Sequence, residues 1–224
     1  MKVPVLAGDS KGFVVKLPSP KIVEEKFYQL QGLYTDQDAK GWETTWRTFR
    51  ASLFHLSLHA AFSDFRGYAP WAKAKDVGAA TFAVSLVEDV HIVTEARSKW
   101  AGVLADLAYA SYLSALRLPD PDEIDNSPVR IATKLLLSSA GVFKSSGERL
   151  SREEDAEVAG IDERVRINVE EYVKEKSPER RPFLAKAANE IYTAVNGRGQ
   201  LSEIPCFPFT EAHGPCGLFD GKIL

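Results

Sequence analysis

From Trp42 to Phe65 the chain runs without a glycine or a proline. Trp42, Trp46, Phe49, Leu53, Leu56 and Ala60 recur at helical spacing, and Phe54, Leu58 and Phe62 occupy other sides. A helix that is apolar nearly all round is a buried one. The segment therefore predicts a central helix, with Trp46, Phe49 and Leu53 in the core. Its polar residues, Thr48, Ser52, His55 and His59, share one remaining strip.

A second long helix is predicted over 75–99. Val77, Ala80, Val84, Glu88, His91 and Glu95 lie along one side of it, and Asp89 points the other way. Further helices are expected at about 100–117, 128–140, 151–159, 162–175 and 178–195. Leu86 and Leu136 join the core. Ser127-Pro128 and Ser177-Pro178 read as helix starts, and Ser151 with Glu154 as a capping box. Gly141, Gly160 and Gly197 read as stops. Ser19-Pro20 predicts one more helix, running to about Leu30 and ended by Gly32. Residues 1–19 read as extended, with short strands in PVL and FVVKLP. The fold class is mostly α, a multi-helix domain with a short extended or β N-terminal segment. Residues 1–196 form the helical domain, and 197–224 an irregular tail rich in Gly and Pro.

The charge balance excludes some functions. Net charge is −3, and acidic and basic residues are interspersed, so nucleic acid is not an expected partner. No apolar run approaches the length of a membrane span, so no membrane association is expected. The N-terminus MKVPVLAGDSKGF does not read as a signal peptide. Two cysteines, Cys206 and Cys216, do not make a disulfide framework. The expected location is cytoplasmic. The charged runs over 148–181 read as solvated helix faces with i, i+4 pairs.

His55 and His59 are the strongest chemical signal. At i and i+4 on a helix, both imidazoles face one way at a separation that suits a zinc ion. The helix of zinc peptidases reads H-E-x-x-H. Leu56 stands here where that motif has its glutamate, so the ligands are present without the general base. A third ligand is expected from the next long helix. Glu88 is the candidate, and His91, three residues on, joins or replaces it. Hydrogen bonds to Glu88 or Glu95 would also satisfy the histidine pair with no metal, and both readings stay open. Glu88-Asp89-Val90-His91 is in addition an E-x-x-H, the motif that ferritin-like dimetal proteins use twice; only one copy occurs. Cys206, His213 and Cys216 are three soft ligands whose spacing fits no standard zinc finger. A tail with two free thiols is the simpler reading.

The order of these segments resembles a known arrangement. A WR-containing helix, the H-x-x-x-H helix, the VEDVHI helix and the apolar ATKLLLSSAGV helix are similar to the zincin-like region of von Willebrand factor A accessory proteins. Those proteins partner MoxR-type AAA+ ATPases. The resemblance covers about 42–143. Relatives carry an E-D-x-R-I-type helix; here Glu88-Asp89-Val90-His91-Ile92 has His91 at the arginine position. No D-x-S-x-S metal motif occurs, so the resemblance implies a module whose von Willebrand factor A or AAA+ partner is another chain. It implies a role in assembly or activation rather than proteolysis.

Three functions follow as expectations. The first is a non-peptidase, zincin-like helical module that docks protein partners, with zinc as an option. The second is a metal-dependent hydrolase or dimetal oxidase using His55, His59 and Glu88, with Glu95 or Asp64 replacing the missing base. The third is a metal-free helical subunit.

Overall fold

The computed structural model describes residues 5–9, 12–63, 65–142, 149–207 and 209. They form a mostly α fold with a short N-terminal β segment. Strands β1 (Val5–Asp9) and β2 (Gly12–Lys16) make an antiparallel hairpin, with Val5 opposite Lys16. This is the extended start that the sequence predicts.

The helix expected over 20–30 is instead a three-stranded antiparallel sheet. It comprises β3 (Lys21–Val23), β4 (Phe27–Leu30) and β5 (Leu33–Asp36), in that order. Glu24 and Glu25 take φ of 54° and 52° in the first connection, and Gln31 and Gly32 take 51° and 81° in the second. Positive φ at both central residues twists a tight turn to match the strands it joins. Glutamate is a poor advertisement for such a turn, which is why the segment reads as helical. Gly32 closes a hairpin and does not end a helix.

Helix α1 (Ala39–Phe62) starts where the Asp38 side chain accepts from the Gly41 N–H at 2.7 Å. Gly41 is required there. A Cβ at that position would lie 1.9 Å from the Asp36 carbonyl oxygen. The four-residue α2 (Ala69–Ala72) leads to α3 (Val77–Lys99), capped by Asp76, whose side chain accepts from the Ala79 N–H. Then follow α4 (Ala101–Ala115), α5 (Ser127–Ser139), α6 (Arg149–Lys174) and α7 (Arg181–Asn196).

Helix α6 is continuous where two helices were expected. Gly160 lies inside it and stops nothing. Ser151 likewise lies within the helix. The Glu154 carboxylate accepts from Arg130 and pairs with Lys134.

Helix α3 separates two cores. On one side Phe82, Leu86 and Val87 pack with Leu135 and Leu136 of α5, Val165 of α6 and Ile191 of α7. On the other, Ile92 and Ala96 pack with Ala51 and Leu58 of α1, Leu107 and Ala110 of α4, and Phe209. Helix α3 is long and apolar enough by composition to cross a membrane, which corrects the expectation about apolar length. Two thirds of its apolar window is buried by the rest of the chain. Leu201, Phe207 and Phe209 of the irregular C-terminal segment are also buried.

The burial of α1 differs from the prediction. Trp46 is 40% exposed, and Phe49 and Leu53 are only half-buried. The face turned inward carries Gly41, Thr45, Thr48, Ser52, His55 and His59. These small and polar side chains go inside because each polar one finds a partner. Thr45 bonds Thr35 of β5, and Ser52 donates to the Phe209 carbonyl and accepts from Gln31. The displaced aromatics stack along the surface, Trp42 on Trp46 and Trp46 on Phe49. Leu86 and Leu136 are buried as expected.

Candidate metal centre

The polar strip of α1 meets α3 at the seam between the two cores. His55 and His59, one turn apart, bring their Nε2 atoms within 3.2 Å. Their rings are nearly perpendicular, with centroids 4.6 Å apart. The third group is Asp89. Its Oδ1 lies 3.1 Å from Nε2 of His59 and 3.6 Å from Nε2 of His55. Asp89 therefore faces the histidines, contrary to the expectation that it points away. The side chains of His55 and His59 are almost wholly buried, and that of Asp89 is 16% exposed.

Glu88 and His91, the ligands expected from α3, build a second cluster beside the first. Glu88 is fully buried. It accepts from the Tyr68 hydroxyl at 2.7 Å, and Nδ1 of His91 is 3.4 Å from its other oxygen. The His91 ring stands edge-on to Tyr172. Burial pushes the Glu88 pKa up. Hydrogen bonds and charge from His91, with hydrogen bonds from Tyr68 and Ser63, outweigh burial and hold the carboxyl below its usual value. Glu95 is tied to Lys99 at 3.0 Å. Asp64, His213 and Cys216 lie outside the described residues, and Cys206 is half-buried.

Ser63 joins the two clusters. Its Oγ is 2.8 Å from Nδ1 of His59, and it also hydrogen-bonds Glu88. These contacts fix the protons. An ionised carboxylate only accepts, so the Ser63 hydroxyl donates to Glu88. Ser63 must then accept from Nδ1–H of His59. Glu88, expected beside the histidines, instead meets Tyr68 and His91, and Asp89 is the carboxylate that meets His55 and His59.

That proton order leaves Nε2 of His59 facing the Nε2 of His55 and the carboxylate of Asp89. Two imidazole nitrogens and a carboxylate oxygen converge there, a set of atoms that could hold a metal ion. The spacing suits the ion. Zinc–nitrogen bonds of about 2.0–2.1 Å in a tetrahedron put ligand atoms about 3.3 Å apart. The three observed separations bracket that value. A metal-bound histidine usually has its outer nitrogen committed to a second hydrogen bond, as Nδ1 of His59 is to Ser63.

A cavity of about 120 Å³ adjoins the group. His55 and Asp89 border it, together with Arg97 of α3, Ser111 of α4, and Arg166 and Glu170 of α6. Leu56, at the position of the peptidase glutamate, is 1% exposed and apolar.

Known proteins add no guide to this chemistry: no family model matches the chain, and no curated protein or solved structure matches it significantly.

The histidine pair was readable from its spacing. Asp89 was missed because α3 is buried on two sides, so a single apolar stripe does not define its inner face. The signal was available in Ile92 and Ala96, which share Asp89's side of the helix and pack towards α1.

Proposed function

We propose that this chain is a metal-binding helical module in which His55, His59 and Asp89 hold a divalent ion, zinc by ligand type. In this reading the module serves assembly or activation of a protein partner and does not hydrolyse peptides. The observation that carries the metal is the set of three ligand atoms at 3.1, 3.2 and 3.6 Å. Two imidazoles and a carboxylate are a zinc donor set with a fourth position left over. The absence of peptidase activity follows from Leu56, since a hydrolytic zinc site needs a placed base to move the proton of its water. Glu88 does not replace that base, because Tyr68, His91 and Ser63 already engage its oxygens. The partner role rests on the resemblance to von Willebrand factor A accessory proteins, with a von Willebrand factor A or AAA+ protein as the partner.

A second reading, a metal-dependent enzyme, is favoured by the cavity beside His55 and Asp89. Elemental analysis of untagged protein tests the metal. An equimolar amount of zinc that is lost in Asp89→Ala is the expected result, and full occupancy in that variant overturns the assignment. Chelator-sensitive cleavage of casein by the zinc-loaded protein would decide for the enzyme. Recovery of an AAA+ or von Willebrand factor A protein with the intact chain supports the accessory role.

A further inference from the structure

The geometry points to a ligand for the cavity beside the metal centre: a short carboxylate anion, bound between the open position of the ion and the guanidinium of Arg97. This inference rests on the metal reading above. His55 and Asp89 form part of the cavity wall, whereas His59 does not. The ion's remaining position is therefore accessible from the cavity side.

The charges favour an anion. Arg97 and Arg166 line the space together with Asp89 and Glu170, so the charges of the described wall are balanced. A divalent ion adds two positive charges. Nε of Arg166 is held by Asp162 at 2.9 Å. Among the described residues Arg97 forms no ion pair and no side-chain hydrogen bond. Arg97 is exposed, so its whole guanidinium can turn to a ligand, and a guanidinium matches a carboxylate in a planar, two-point pairing. The Ser111 hydroxyl, also without a partner among the described residues, is a further donor in the wall.

The size and lining narrow the class. About 10–15 Å³ in this measure admits one water, so about 120 Å³ admits an anion of several heavy atoms. Val93, Leu107 and Phe207 supply apolar wall. A carboxylate with a short hydrocarbon chain uses both the charge and that wall, whereas phosphate uses only the charge.

Cobalt(II) in place of zinc gives the readout, because its visible bands respond to a change of ligand. Butyrate, acetate and inorganic phosphate are titrated into the cobalt-loaded full chain. We expect butyrate to shift the bands and to bind more tightly than acetate or phosphate. Arg97→Gln should weaken butyrate about tenfold or more, the scale of one charged hydrogen bond, while cobalt affinity is unchanged. If cobalt binds and butyrate leaves the bands unmoved, this inference fails and the metal centre stands. If Arg97→Gln binds butyrate as well as the parent, or phosphate binds best, the assignment of the ligand is overturned. If cobalt does not bind at all, the metal reading and this inference fall together.

Discussion

Nε2 of His59 lies 3.1 Å from Oδ1 of Asp89, and these two atoms belong to different helices thirty residues apart in sequence. The contact joins the middle of α3 to the last turns of α1. It also converts a histidine pair into a three-atom site.

Asp89→Ala should lower zinc affinity by more than about 100-fold, beyond the 10–100-fold typical of outer partners. Glu95→Gln should change it little, since that carboxylate is engaged by Lys99. Competition titration against a zinc-binding dye compares the two variants. Equal losses would show that the effect comes from general destabilisation.

Ser63→Ala removes the link between His59 and Glu88 without touching a proposed ligand. Zinc affinity should fall about 10–100-fold, as for other outer partners of metal-bound histidines. Far-ultraviolet circular dichroism should be unchanged. An unaltered affinity would mean that the proton order at His59 does not depend on Ser63.

Lys134 lies almost fully buried in α5, 2.9 Å from Asp155, 3.3 Å from Glu154 and 3.4 Å from Asp122. Burial opposes its charge, and the hydrogen bonds and fields of Asp155, Glu154 and Asp122 outweigh burial, raising its pKa above the ordinary 10.5. A folded-state pKa above the unfolded one stabilises fully below the unfolded value, and that stabilisation is lost as pH rises through the folded value. Lys134→Met should therefore cost roughly 1–3 kcal/mol at neutral pH by removing the cation that Asp155 and Asp122 face, while Glu154 keeps Arg130. The gap between variant and parent should hold to about pH 10 and close above it. Urea titrations across that range measure it, and a gap that widens at high pH would refute the sign.

Leu136→Ala should cost about 2–5 kcal/mol, the range for emptying a buried leucine site. Trp46→Ala should cost about 0.5–1.5 kcal/mol, mainly the stacking with its aromatic neighbours. Chemical denaturation ranks the two. A larger loss at Trp46 would place the buried face of α1 on the aromatic side after all.

The legible parts of this molecule were those set by local rules. The two long helices, the edges of α4 and α5, and the shared face of His55 and His59 all follow from spacing and punctuation. The rest depended on neighbours. Trp46 reads as core on hydrophobicity alone, yet Thr45 and Ser52 go inside because Thr35, Gln31 and the Phe209 carbonyl wait for them. Glu88 and Asp89 are adjacent in sequence, about 100° apart on the helix, and both are turned towards partners. Only the position of α1 decides which of them meets the histidines. Glu24 and Glu25 hide a hairpin because their composition does not announce the backbone they adopt.

The outward stacking on α1 gives the protein an optical signature of its own. Trp42 and Trp46 lie 6.0 Å apart with ring planes only 14° from parallel. Indole transitions so close couple, and where their in-plane directions are skewed the circular dichroism splits into a paired positive and negative band. The pair rides on the same helix as His55 and His59 but on its outer side. Ion binding at the inner side should leave the couplet in place, whereas loss of the α1 turn between Trp42 and Trp46 abolishes it. The helix thus carries an internal control that separates an emptied site from an unfolded one.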